Sequence, residues 1–425
     1  MTKVRDLFPG RDPIAQFVRI GRDHHQMEEL LTGERFPVER AVFRAGLVPR
    51  QTEFLAELQK RAETVLDPGI AELASIGRFE GLPSRAPWAA DGRPLQAKDL
   101  LDRETLAKIA RFAIEHHFNA VLSPTRYHER ITEDDLNVDL KACQLLRDAL
   151  DREGGATISI DYRLSTAHRA LKDRDQVAIV LRQLAGAPTE NLWLHISPFG
   201  VDATAGIVRR LIETIARLEP LNAPIVVDGV AGLPAFALLA FGAAGGIAHG
   251  VTEQERFEGN AYHKQPRKSS GGSTPARALV AGLDRQLTRQ QYDTIANAVG
   301  GRALIACTDR QCCRNGTADT WENPKAHYLR QRRLPIEAMA NIPNLRRASH
   351  FIDVDLRNAE KKVNAFSRLK ISEANVEKII REQQRRVDNF APTLTIVQET
   401  QVLQRRSRVP QLRVNPVVQS QRGAR

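Results

Sequence analysis

The run Ile225-Val226-Val227-Asp228 is typical of the stretches that decide the fold of this chain, because it is apolar over strand length and ends in a carboxylate. Five more short runs of strand length end in a polar residue, at residues 64–67, 119–123, 157–161, 192–197 and 246–249. Runs that are apolar on both faces are typical of parallel strands buried under helices. The sequence therefore predicts a parallel sheet whose strands end in polar side chains.

The segments between these runs have helical periodicity. Leu106, Ile109, Ala110 and Ala113, for example, recur at intervals of three and four residues. Alternating strands and helices indicate an α/β protein, and six units in succession favour a (β/α)8 TIM-like barrel over a doubly wound sheet. Residues 42–44 are a further candidate strand, and the sequence does not reveal an eighth.

This pattern divides the chain into four predicted segments. They are an N-terminal extension over residues 1–50, the barrel over 51–300, a small zinc-binding subdomain over 301–345 and a basic C-terminal extension over 346–425. Within the last segment, residues 373–387 have the pattern of a charged helix with a narrow apolar stripe. The chain from Pro392 onward shows no core-forming period, and we expect residues 403–425 to be largely disordered.

Composition excludes several classes of protein. Hydrophobic residues make up 42% of the 425 residues, which is enough for a core and excludes wholesale disorder. No apolar stretch reaches the roughly 18 residues of a membrane span, and the charged N-terminal segment does not look like a signal peptide. Four cysteines are too few for a disulfide framework in a chain of this length. We therefore expect a cytoplasmic protein with no membrane partner.

The net charge of +11 lies in the part of the chain that begins at Arg330. A basic extension on a nearly neutral body is typical of proteins that bind a polyanion, most often nucleic acid. The alternative is a solvated tail without a ligand. We expect nucleic acid, either tRNA or DNA, as the partner. The sequence leaves open whether the chain forms a homo-oligomer.

Three of the cysteines fall close together, at Cys307, Cys312 and Cys313, and His327 follows them. Structural zinc is held by four thiolate or imidazole ligands, so this set predicts a zinc site. The alternative is a group of buried cysteines that pack as small hydrophobic residues. The polar neighbours at residues 308–311 favour the metal, because they do not suit a core strand.

Polar residues follow the strand runs at the end where barrel enzymes carry their chemistry. Asp67 and Asp228 each close an aliphatic run and are the candidate catalytic carboxylates, with His249 as a third candidate. Asp67 precedes Pro68-Gly69, so a helix-capping role is its alternative. The candidate substrate-binding residues near these strand ends are Ser123, Gly229, Gly232 and Gly246. Tight turns and close helix packing are the alternative explanation for the glycines.

The order of these features resembles the tRNA-guanine transglycosylase superfamily, whose members exchange guanine for 7-deazaguanines in tRNA or act on DNA. Leu66-Asp67-Pro68-Gly69-Ile70 stands where the family has a strand ending in Asp-Ser-Gly-Gly-Phe. Residues 226–234 are similar to the family's Tyr-Leu-Met-Gly-Val-Gly-x-Pro, and the cysteine cluster is similar to its zinc ligands. The resemblance covers residues 65–329 in order and spacing.

The resemblance implies a zinc-stabilised barrel that exchanges a base in nucleic acid. It implies that Asp67 is the general acid/base or nucleophile, that Asp228 is the second carboxylate, and that Gly229 and Gly232 line the base pocket. The sequence departs from the family where the nucleophile stands in Phe-Asp-Cys-Val, because His249 occupies that position here. It also has Ser123 where the family has its base-recognising Asp.

Two other functions remain open on the sequence. The first is a barrel enzyme for a small phosphorylated substrate, bound by the Gly245-Gly246 loop, which predicts no affinity for nucleic acid. The second is a catalytically inactive barrel that binds nucleic acid or a protein partner, which predicts affinity that survives loss of both carboxylates.

Overall fold

The computed structural model describes residues 14–22, 38–252, 254–265 and 275–404. Eight parallel strands close into a barrel, in which the first strand pairs with the last and the fourth pairs with the fifth. The strands are β1 Ala15–Arg19, β2 Arg40–Arg44, β3 Glu63–Asp67, β4 Ala120–Leu122, β5 Ser159–Ala167, β6 Leu192–Ser197, β7 Ile225–Asp228 and β8 Gly246–Gly250. The predicted (β/α)8 TIM-like barrel is confirmed.

The barrel begins earlier than the sequence pattern indicated. Strands β1 and β2 lie within the segment predicted as an N-terminal extension. The sequence pattern did not indicate strand β1, because its sequence is Ala-Gln-Phe-Val-Arg and two of its five residues are polar. Its terminal Arg19 is nevertheless only 3% exposed. A buried charge needs partners, and Arg19 finds them only on distant strands.

Helices surround the barrel and continue beyond it. The α-helices are α1 Thr52–Gln59, α2 Ile70–Leu73, α3 Ala97–Leu100, α4 Arg103–Glu115, α5 Glu133–Glu153, α6 Arg174–Leu184, α7 Ala205–Ile215, α8 Gly232–Ala240, α9 Asn260–His263, α10 Arg289–Asn297, α11 Gly301–Ile305, α12 Thr317–Glu322, α13 Pro324–Ala340, α14 Asn344–His350, α15 Arg357–Ser367, α16 Ala374–Asp388 and α17 Phe390–Gln404. Shorter 3-10 helices are Ala45–Arg50, Pro83–Arg85, Ala170–Lys172, Ala216–Leu221 and Ala281–Leu283, and Phe351–Leu356 is a π-helix.

A hairpin follows the barrel and links it to the C-terminal helices. Its antiparallel strands are β9 Arg277–Val280 and β10 Arg285–Thr288. The remaining strands are two residues long: Tyr127–His128 lies beside β5, and Phe199–Gly200 pairs with Arg256–Phe257. No helix in the described part of the chain is long and apolar enough to cross a membrane.

The barrel interior has an apolar floor below a charged upper layer. The floor is a cluster formed by inward-facing residues of seven strands: Ala15, Phe17, Val42, Val65, Ala120, Leu122, Trp193, Val226 and Ala248. Phe17 and Trp193 meet edge to face, with ring centroids 4.7 Å apart. The next inward positions toward the carboxyl ends of the strands include Arg19, Asp67 and Asp228. Side chains two positions apart on a strand face the same way, so the charged layer lies directly above the floor.

The C-terminal extension contributes to the core over its described length. The predicted helix at residues 373–387 is present as α16, and its Val376 and Ile380 are buried. Helix α17 corrects the expectation that residues beyond Pro392 lack a core-forming period. Phe390, Leu394 and Val397 are buried, and their spacing of four and three residues forms one face of the helix. Residues 405–425, for which we predict disorder, lie outside the described residues.

Candidate active site at the barrel mouth and candidate metal centre

A cavity of about 1170 Å³ opens at the carboxyl ends of the barrel strands. This is the end at which TIM barrels carry their active sites. Its inner wall comes from five of the eight strands and the residue that follows β7: Arg19, Arg44, Arg163, His195, Asp228 and Gly229. The barrel mouth is therefore a cavity with a charged inner wall.

Arg19 joins the two predicted catalytic carboxylates. Its Nε and Nη2 donate to the two carboxylate oxygens of Asp228, at 2.7 and 2.5 Å. Its Nη1 donates to Oδ2 of Asp67 at 2.7 Å. The three side chains come from β1, β3 and β7, so only closure of the barrel brings them together. A planar guanidinium suits this role, because it can bridge two carboxylates with fixed geometry.

Arg163 is the second cation of this cluster. Its Nη1 lies 3.2 Å from Oδ2 of Asp67, and its Nη2 lies 3.5 Å from Oδ2 of Asp228. Burial alone would raise the pKa of the Asp67 carboxyl, but the guanidinium groups of Arg163 and Arg19 outweigh it and hold that pKa well below its usual range. Asp67 is therefore ionised, and the cluster contains two cations and two anions.

Asp67 does not cap the helix that follows it, whose N-cap is Gly69. It lies within the charged cluster, and its Oδ1 also accepts a hydrogen bond from the backbone N–H of Gly69 at 3.0 Å. It does not line the cavity, whereas Asp228 does. Asp228 is followed by Gly229, whose φ of +78° is the left-handed region that favours glycine.

Ser123 lies behind the cluster rather than in the cavity. Its Oγ accepts from the backbone N–H of Arg163 at 2.9 Å, so it braces strand β5. Gly232 begins α8 and packs against Asp284: a Cβ added there would lie 2.4 Å from the Asp284 carboxylate. Neither residue lines the cavity, and their contacts match the packing explanation.

His249 and Gly246 also lie away from the cavity. His249 is fully buried and points outward from the barrel, since its strand neighbour Ala248 belongs to the interior floor. Its Nε2 lies 2.9 Å from the Gln16 amide and its Nδ1 lies 3.3 Å from the hydroxyl of Tyr328 on α13. Gly246 is the first residue of β8 and packs against Ala15, at the opposite end of the barrel from the mouth.

The sequence pattern did not indicate four residues of the candidate site. Arg19 and Arg163 are isolated arginines, and no local pattern marks them as buried. Strand β5 continues to Ala167, beyond the predicted end at Asp161, because its inward residues Arg163 and Ser165 face the charged layer instead of the apolar floor. Glu72 follows Asp67 by five positions and lines the cavity. Phe257 stacks on His195 from the strand Arg256–Phe257, which is too short to show an alternating pattern.

The four predicted metal ligands form one cluster. Their ligand atoms, three Sγ and one imidazole nitrogen, all lie within 4.8 Å of one another. Nδ1 of His327 lies 3.4 Å from Sγ of Cys312 and 3.3 Å from Sγ of Cys313. The other ring nitrogen of His327 donates to the backbone oxygen of Leu279 on β9 at 2.9 Å. Because this bond places the proton on Nε2, Nδ1 has its lone pair on the side of the sulfurs. A histidine that binds a metal usually donates its other ring N–H to a neighbouring acceptor in this way. Cys307, Cys312, Cys313 and His327 could therefore bind a metal ion.

No protein-family model matches this chain, and no curated protein matches it. Solved structures match its barrel. A GH26 β-mannanase from Bacteroides ovatus is 12% identical with a TM-score of 0.36, over 61% of this chain and 86% of the mannanase. A type I 3-dehydroquinate dehydratase from Clostridium difficile is 9% identical with a TM-score of 0.37, over 59% of this chain and 88% of the dehydratase.

Proposed function

We propose that this chain is an enzyme of the transglycosylase type, which exchanges a purine-like base in tRNA or DNA at the barrel mouth. The observation that carries the proposal is the position of Asp228. It is a buried carboxylate that lines the cavity and is held by Arg19 at the carboxyl end of a barrel strand. Cleavage of a glycosidic bond needs a carboxylate beside the sugar carbon, because positive charge develops there.

Asp228 is better placed to stabilise an oxocarbenium ion than to form a covalent bond. Both of its oxygens already accept hydrogen bonds from Arg19, at 2.7 and 2.5 Å, which reduces their nucleophilicity. In the proposed step the bond between the sugar carbon and the base nitrogen breaks, and its electron pair leaves with the base. The incoming base then attacks the same carbon. Asp67 holds Arg19 and Arg163 in place and does not touch the substrate.

The exchange also requires that the incoming base lose a proton. Glu72 is available for this transfer, because it lines the cavity and is 9% exposed. Its Oε1 lies 4.0 Å from Nη2 of Arg44. Its Oε2 lies 4.0 Å from Nη1 of Arg163 and has no hydrogen-bond partner among the described residues. We assign Glu72 the role of general base toward the incoming base.

Nucleic acid as the substrate is supported by the basic excess beyond Arg330 and by two further arginines that line the cavity, Arg44 and Arg78. We also expect the basic segment at residues 264–274 to contact the phosphate backbone; its residues 266–274 lie outside the described residues, as do residues 405–425. Arg44 and Arg78 also favour a second candidate, an enzyme for a small phosphorylated substrate. The Gly245-Gly246 turn, which the sequence suggested as the phosphate site, lies at the other end of the barrel. An enzyme of this kind would therefore bind the phosphate at Arg44 and Arg78.

We propose zinc as the metal of the Cys307 cluster, because three thiolates and one imidazole form a common structural zinc set. The three thiolates and the imidazole of this chain would supply the four ligands of a structural zinc site. The ion would hold the segment between α11 and α13 against the β9–β10 hairpin. It would take no part in the reaction.

The proposed function is tested by measuring incorporation of labelled guanine into tRNA and into DNA. Asp228→Asn should reduce the exchange rate by about a hundredfold or more, in line with losing a positioned electrostatic group. Asp284→Asn is the matched control, because Asp284 is also a buried carboxylate paired with an arginine, Arg332, but lies outside the cavity. Absence of exchange with the intact protein on both nucleic acids would refute the proposal. Binding without exchange would favour the inactive barrel.

A further inference from the structure

His195 is placed beside the proposed reaction centre. It lies on β6 with Asp228 as its direct partner on β7, so the two side chains stand at the same level of the barrel. Both line the cavity. The face of the imidazole stacks on the ring of Phe257, with centroids 3.5 Å apart and planes inclined by 20°. This stacking and the strand backbone fix the plane of the imidazole.

The hydrogen bonds of His195 determine its tautomer. Nη2 of Arg163 lies 3.0 Å from Nδ1 of His195, and Oγ of Ser165 lies 3.2 Å from the same atom. A guanidinium can only donate, so Nδ1 carries the lone pair and the proton is on Nε2. Burial lowers the pKa of His195 well below its usual value, and the positive charges of Arg163 and Arg19 lower it further. The ring is therefore neutral.

The Nε2–H group is available to a ligand. No hydrogen bond joins it to another described residue, and His195 lines the cavity beside Gly229. A Cβ added at Gly229 would lie 3.6 Å from Nε2, so a side chain at this position would narrow the approach to the ring edge. Glycine is required there by its positive φ as well.

We infer that His195 is a hydrogen-bond donor to the substrate base, through Nε2–H to a carbonyl oxygen or ring nitrogen. This inference rests on the proposed function and adds a catalytic residue to it. When the glycosidic bond breaks, the electron pair passes to the departing base, and Nε2–H stabilises the negative charge on the acceptor atom. No proton moves, so His195 is neutral before and after the step. A neutral imidazole that polarises an acceptor in this way is a known catalytic device.

Nuclear magnetic resonance of the intact protein tests the tautomer without any need for activity. In protein labelled with 15N-histidine, the signals of His195 are assigned by their loss in His195→Gln. At pH 7 they should show a protonated Nε2 and an unprotonated Nδ1, and the Nε2 signal should shift when guanine is added. A proton on Nδ1, a charged ring or an unchanged Nε2 signal would overturn the inference.

Kinetics then separates a catalytic donor from a structural ring. His195→Phe keeps a ring on Phe257 but removes the donor, and it should lower kcat about a hundredfold with little change in KM. His195→Gln restores an N–H donor and should recover part of the loss. His168→Gln is the control, because His168 is also a buried histidine at this end of the barrel but does not line the cavity. Equal rates for His195→Phe and wild type would overturn the donor role. If the wild-type protein exchanges no base, the proposed function fails, and the response of Nε2 to guanine still decides the role of His195.

Discussion

Replacement of Asp67 by asparagine should destabilise the barrel strongly, although the two side chains have the same shape. Oδ2 of Asp67 accepts from Arg19 at 2.7 Å and from Arg163 at 3.2 Å, while Oδ1 accepts from the Gly69 N–H. An asparagine that keeps its oxygen toward Gly69 turns an N–H₂ group toward two guanidinium donors. The opposite rotamer leaves the Gly69 N–H without an acceptor.

The magnitude follows from the burial of the cluster. Asp67, Arg19 and Arg163 are 1%, 3% and 3% exposed, so a lost charge leaves an excess cation that is almost fully buried. Breaking a buried ion pair from one side costs about 3–5 kcal/mol. That is a large share of the total stability of about 5–15 kcal/mol typical of a folded protein. An isolated buried carboxylate would have given the opposite result, because its removal would stabilise the fold.

The assay is urea unfolding followed by fluorescence, for which the fully buried Trp193 is a probe inside the barrel. Asp102→Asn is the control, because Asp102 is an exposed N-cap of α4 that accepts from the Thr105 N–H. Asparagine caps about as well as aspartate, so this variant should change stability by less than about 0.5 kcal/mol.

The pH dependence gives a second, independent check. The pKa of Asp67 is lower in the folded than in the unfolded chain, so its ionisation stabilises the fold above the unfolded value near 4. This contribution is lost as the pH falls toward the folded value. The difference in the free energy of unfolding between wild type and Asp67→Asn should therefore be constant from pH 7 to about 5. It should become smaller below about pH 4. A near-neutral Asp67→Asn, or a gap that widens in acid, would refute the reasoning.

Three further predictions concern other parts of the chain. Cys313→Ser should lose the bound metal and lower the unfolding midpoint. Cys143→Ala, at a buried cysteine outside the cluster, should keep the metal, and elemental analysis of both variants measures the metal content. Removal of residues 405–425 should leave the described fold intact and flatten the salt dependence of nucleic-acid binding, and an unchanged salt slope would show that the tail does not contact phosphates. Burial raises the pKa of Asp161 to about 7, against hydrogen bonds from Asn191 and Trp193. Because the folded value exceeds the unfolded one, wild type should lose stability relative to Asp161→Asn as the pH rises from 5 to 8, and urea unfolding that shows the reverse would contradict this account.

The sequence by itself determined the fold class and the metal cluster. Apolar runs such as residues 225–228 form strands because their side chains are buried on both faces, and this burial is visible in local composition. The cysteines and His327 lie within one short stretch of chain, so a candidate metal site could be recognised from residue type and proximity in the sequence. Asp67 and Asp228 were found because they end such runs at the catalytic end of a barrel.

Only the tertiary structure decided what surrounds these carboxylates and which candidates lie at the cavity. Arg19 and Arg163 are separated by 144 residues, and a single buried arginine leaves no periodic signal. The register of β8 turns His249 outward, because adjacent residues on a strand face opposite ways and Ala248 faces inward. Charge pairing across β1, β3, β5 and β7 exists only once the barrel is closed. Closure therefore brings the charged residues together at the mouth of the barrel.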